Sequence, residues 1–198
     1  MATASGSHVR TVEKPGAYAR LLRRLEEASV LDGAVDKARP LAATLTAKDR
    51  IRSVLHGDVT GIPVHAILTD LPFGAWWMAI FLDFFRDAGS RTASTRLVAL
   101  GIVSTVPTAL AGWAEWSLAD QPTRRVGIVH AAANGVATVI YAASWAARIT
   151  GRQALGIQLA RAGAIFLLVS GFLGGHMGSG RRATPHQEQM QQQVRSNS

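Results

Sequence analysis

From residue 62 onward the chain alternates long apolar runs with short polar breaks. Residues 62–85, 97–116, 126–147 and 155–175 are each about 20 residues or longer, roughly what a helix needs to cross a bilayer. None carries the one-sided polar stripe of a soluble amphipathic helix. The breaks fall at 86–96, 117–125 and 148–154. The pattern predicts an all-α fold, an integral membrane four-helix bundle over residues 61–180 with an N-terminal amphipathic helical arm. A buried soluble bundle is the competing reading, and four successive runs of this length weigh against it.

Residues 1–60 read differently. Tyr18, Leu21, Leu22, Leu25 and Ala28 follow the i, i+3, i+4, i+7 spacing of one helix face. Arg20, Arg23 and Arg24 supply a basic side, and Gly33 marks the expected end. Thr46-Ala47-Lys48-Asp49 has capping-box spacing before Ile51, Val54 and Leu55. A second short helix is therefore expected to lead through Gly57 into the first apolar run. The arm fits two placements, flat on the membrane surface or packed as a helical lid. Beyond Gly180 the chain is Gln-rich, and a disordered polar tail is expected over 181–198.

Composition sharpens the membrane reading. Charged residues make up 17% of the chain, against about a quarter in ordinary soluble domains. The net charge of +8 fits either nucleic acid or an anionic membrane surface. Residues 1–60 hold 10 Lys and Arg against 7 Asp and Glu, and no nucleic-acid fold motif accompanies them, so no nucleic-acid partner is expected. The absence of cysteine excludes disulfides, cysteine-ligated zinc and cysteine-held iron–sulfur clusters. No apolar signal segment occurs near the N-terminus, so no cleavage is expected. Four spans put both ends on one side. Lys and Arg concentrate there, which predicts cytoplasmic termini.

Local features fit the spans. Trp113, Trp116 and Trp145 sit where interfacial aromatics are expected. Pro63 suits a helix start, whereas Pro72 and Pro107 predict kinks. Ser104, Thr105 and Thr108 are placed to satisfy backbone groups freed by Pro107. The pairs Gly171/Gly175 and Gly174/Gly178 predict a close-packing face. Arg161 can snorkel outward. Asp83 and Arg86 read as an exposed pair of little energetic worth. The stretch GGHMGSGRR lacks the GK[ST] ending and preceding strand of a phosphate loop, so no nucleotide is expected.

Ionisable groups within a bilayer are costly and point to function. His65 opens the first span, His130 lies near the start of the third, and His176 follows the fourth. Glu115 ends the second. At about 1.5 Å per residue, all four fall near one membrane face, whereas Asp70 lies deeper. Two imidazoles from different helices are the axial ligands of a b-type haem. His65 with His130 is the preferred pair, and His176 is the alternative. A smaller metal would use three histidines and a carboxylate. Asn134, one turn beyond His130, can hold a histidine's second nitrogen. The plainer reading is a structural polar cluster, because intramembrane polar groups commonly pair. A weaker reading gives Asp70 a part in ion or proton passage. No catalytic constellation is recognisable.

The stretch from Gly61 to Gly74, GIPVHAILTDLPFG, resembles the G-x-P-x-H-P…D-x-P-x-G signature of a bacterial membrane family, domain-of-unknown-function family 2231. His130 and Asn134 resemble its H-x-x-x-N element, and Gly174-Gly175-His176 its closing Gly-Gly element. The proline after the histidine is Ala66 here, and Met177-Gly178-Ser179-Gly180 replaces the usual apolar residues, which weakens His176 most. The resemblance implies a four-helix domain of the bacterial cytoplasmic membrane without an established activity. Some relatives carry Rieske-type iron–sulfur domains, which implies electron transfer. Any redox partner of this chain would be a separate protein. The other expectation is a non-enzymatic membrane subunit or scaffold.

Overall fold

A computed structural model describes residues 16–57 and 61–196, with side chains through Gly178. All regular structure among the described residues is helical. Three short helices, α1 (Ala17–Glu27), α2 (Asp32–Leu45) and α3 (Asp49–His56), precede four long ones: α4 (Val64–Leu82), α5 (Ala88–Ser117), α6 (Gln121–Ile149) and α7 (Gln153–Ser196). The expected disordered tail, 181–198, falls on residues whose side chains lie outside the described ones.

Each of the four long helices is long and apolar enough to cross a membrane. Only 22–33% of each apolar window is buried inside the chain. Phe84, Val103, Val139, Ile165 and Phe172 all point outward, more than 60% exposed. A soluble bundle would turn such faces inward. These faces suit lipid.

The connections are shorter than the polar breaks suggested, because α5, α6 and α7 run past their apolar segments. Asp87 caps α5 by accepting from the Ser90 amide at 2.9 Å, and Asp120 caps α6 by accepting from the Thr123 amide at 3.0 Å. α4 packs along α5 as one hairpin and α6 along α7 as another. Small residues line these contacts: Ala79, Ala111, Ala114, Ala137, Ala160 and Gly101 allow close approach. At the centre Trp76 stacks on Tyr141, with ring centroids 4.1 Å apart and planes 6° from parallel.

Between lipid-facing helices no hydrophobic driving force operates, so packing and interhelical hydrogen bonds hold the bundle. Pro72 has no N–H and frees the Leu68 carbonyl. Thr108 of α5 donates its hydroxyl to that carbonyl at 3.2 Å. Trp76 Nε1 donates to the Val98 carbonyl, and Ser144 to the Gly156 carbonyl.

Asp83 is not the exposed partner of Arg86. Arg148, at the end of α6, reaches the end of α4 and forks onto the carboxylate at 2.8 and 2.6 Å. The two side chains are 0% and 1% exposed. Ser94 donates to Asp83 at 2.6 Å. Helix ends brought level by the bundle outcompete a neighbour three residues away in sequence.

The arm packs as a lid on the terminal side. Leu22 buries against Val126 and Leu173, and Val35 and Ala42 bury against Trp116. Trp116 therefore lies beneath the arm and donates Nε1 to the Arg124 carbonyl. Gly33 opens α2 instead of ending α1, and Pro40 lies inside α2. Thr46 closes α2 by donating to the Ala42 carbonyl, so it does not cap the following helix.

Arg125 of α6 clamps Asp32 of α2 through Nε and Nη2, both at 2.8 Å, and donates Nη1 to the Glu26 carbonyl. That guanidinium lowers the Asp32 carboxyl from 3.8 to about 2. A depressed carboxyl stabilises docking fully above its ordinary value and stops doing so as pH falls through the depressed one. Arm docking is therefore expected to weaken between pH 3.8 and about 2, and Asp32→Asn should remove that pH step. Limited proteolysis of the arm across this range reads the effect.

Candidate functional site

His65 stands in the first turn of α4, and His130 near the arm-side end of α6. Each imidazole leans on the next helix in its own hairpin. His65 Nδ1 donates to the Thr108 carbonyl of α5 at 3.0 Å. His130 Nδ1 donates to the Ser170 carbonyl of α7 at 2.9 Å. A carbonyl cannot donate, so Nδ1 carries a proton in both rings, and in the neutral imidazole the lone pair then sits on Nε2.

Glycine makes both contacts possible. A Cβ at Gly112 would lie 2.9 Å from His65 Cε1, and one at Gly174 would lie 3.0 Å from His130 Cε1. Real Cβ atoms essentially never come as close as at Gly112, and the Gly174 distance is tighter than nine in ten real contacts, so both rings favour a glycine beneath them. Gly174 is thus a seat for an imidazole, and Gly171 meets Phe73 of α4. Of the expected small-residue face of α7, Gly171 and Gly174 serve contacts within the chain.

The Nε2 atoms of the two rings differ. Asn134, one turn beyond His130, donates its amide to His130 Nε2 at 3.0 Å. Thr69, one turn beyond His65, donates to the His65 carbonyl instead. Both histidines are half-buried.

His176 and Glu115 bond to the arm instead. His176 Nε2 is 2.8 Å from Glu26 of α1, and Glu115 is 2.9 Å from His56 of α3. Both serve as latches between arm and bundle. Asp70 is exposed on α4, and the described residues place no hydrogen-bonding group on it. Among the described residues, no three His, Cys, Asp or Glu side chains gather as a metal site would require.

Sequence reasoning missed Thr108, Ser170, Gly112, Glu26 and His56. Backbone carbonyl acceptors leave no trace in residue identity. The glycines do leave one, since Gly112 and Gly174 each follow the acceptor residue by four positions.

A family model described as predicted membrane protein (DUF2231) matches residues 61–184. No curated protein and no solved structure matches the chain.

Proposed function

The chain belongs to the DUF2231 family of predicted membrane proteins, and on that premise we propose that it holds a b-type haem between His65 and His130 as an electron-transfer component of the bacterial cytoplasmic membrane. One observation carries the reading: two imidazoles from two spans, each with Nδ1 given to a backbone carbonyl, which in the neutral ring puts the lone pair on Nε2. That is the tautomer a histidine needs to bind iron, and the carbonyl contact fixes the ring and raises its basicity. A haem supplies one-electron Fe(III)/Fe(II) chemistry at such a site.

This chain's own residues do the rest. Gly112 and Gly174 admit the rings, and Thr108 and Ser170 orient them. Asn134 holds the His130 lone pair and gives it up to a ligand. The lid formed by α1–α3 covers the same side of the bundle. Both termini lie in the cytoplasm on this reading, as the excess of Lys and Arg on that side favours. A separate redox protein is the partner.

A second reading has its own support. Asn134 already satisfies His130 Nε2, and each histidine ties two helices together. A membrane subunit or scaffold needs no more than that.

Protein expressed with ample haem and purified in detergent separates the two. The haem reading expects a Soret band at one haem per chain, lost in His65→Ala and in His130→Ala. A colourless protein without bound metal leaves the scaffold reading.

A further inference from the structure

We infer that α4–α5 and α6–α7 are two copies of one hairpin, related by a pseudo-two-fold axis along the bundle, and that His65 and His130 are equivalent halves of one site on that axis. The site is built for a planar group presented alike to both sides, a metalloporphyrin. This rests on the haem reading.

The spacing is the first observation. Trp76 follows His65 by eleven positions, and Tyr141 follows His130 by eleven. Asp83 and Arg148 each stand eighteen positions after those same histidines. On the second helix of each hairpin, Gly101 precedes Gly112 by eleven, and Gly163 precedes Gly174 by eleven.

The contacts repeat with the spacing. His65 sits on Gly112 and bonds Thr108, four residues earlier; His130 sits on Gly174 and bonds Ser170, four residues earlier. Trp76 lies over Gly101, and Tyr141 over Gly163. Both hairpins start from the arm side, so the repeat is parallel, with its axis along the membrane normal. Residue identity has drifted, with Val64-His65-Ala66 and Val129-His130-Ala131 among the stretches still shared.

Equivalent residues that touch each other must meet on the axis. Trp76 and Tyr141 do so as a parallel stack. Asp83 and Arg148 do so as an ion pair. These two pairs fix the axis at the far end and the middle of the bundle. His65 and His130 are the third equivalent pair, related by the same axis at the arm end. A group bound there meets the same donor, on the same glycine, from each side.

Two experiments test this on the full chain in detergent. In the first, haemin is added to wild type, His65→Ala and His130→Ala, and iron coordination is read by absorption and paramagnetic resonance. Each single variant is expected to lose the six-coordinate low-spin signal to the same degree and to regain it with added imidazole. A low-spin signal that survives in one variant alone overturns the two-sided site. If wild type takes up no haemin, the haem reading itself fails. In the second, Trp76→Tyr and Tyr141→Trp are combined. An indole at position 141 would find the Ala160 carbonyl where Trp76 now uses Val98, since each precedes its glycine by three. The exchanged protein is expected to unfold near the wild-type midpoint. Unfolding as early as Trp76→Ala overturns the duplication.

Discussion

Replacing Arg148 by alanine is expected to lower stability by about 3–5 kcal/mol, the range for breaking a buried ion pair from one side. Arg148 and Asp83 are enclosed by the bundle, at 0% and 1% exposed. Removing the guanidinium strands a carboxylate that Ser94 alone still contacts. Removing the carboxylate, as in Asp83→Ala, strands the guanidinium with Ser94 and Ser144. The paired replacement Asp83→Leu with Arg148→Leu should cost much less, because two apolar groups leave no charge behind. Unfolding titrations of purified protein in mixed detergent micelles measure all three. Equal losses in single and paired variants would show that packing, not charge, matters at this position.

The second large effect falls at the bundle centre. A Cβ at Gly101 would lie 2.5 Å from Trp76 Cδ1 and 2.7 Å from Cε2. Trp76 cannot move aside easily. It is 1% exposed, stacked on Tyr141 and bonded to the Val98 carbonyl. Gly101→Ala is expected to cost about 1–3 kcal/mol, the usual range for overpacking a filled core. Gly135→Ala is the control, since nothing lies within 4 Å of a Cβ there; its effect should stay within about 0.5 kcal/mol. A Gly101→Ala protein as stable as the control would mean that the Trp76–Tyr141 stack is looser than its geometry implies.

The spans were legible because bilayer length and apolarity are properties of a run, not of any contact. The rise per residue also gives an expected level for His65 and His130 without knowledge of their partners. Partners were not legible. The same rise expects His176 and Glu115 at that level, yet Glu26 and His56 of the arm take them. Nothing in the arm's periodicity places those two side chains.

Asp83 shows the limit most clearly. Its near neighbour Arg86 is obvious in sequence, whereas Arg148 is reached only after two further helices have crossed the bundle. In α2, local preference was overridden. Gly33 and Pro40 disfavour a helix, but burying Val35 and Ala42 against Trp116 favours one, and Thr44 donates its hydroxyl to the Pro40 carbonyl.

The paired imidazoles are the centre of the functional reading, and low-temperature paramagnetic resonance of the oxidised, haem-loaded protein tests them most directly. Ligation by His65 and His130 predicts a single low-spin, bis-imidazole iron signal at one per chain, absent when both histidines are alanine. A high-spin signal in wild type, or a low-spin signal that persists without both histidines, would contradict it.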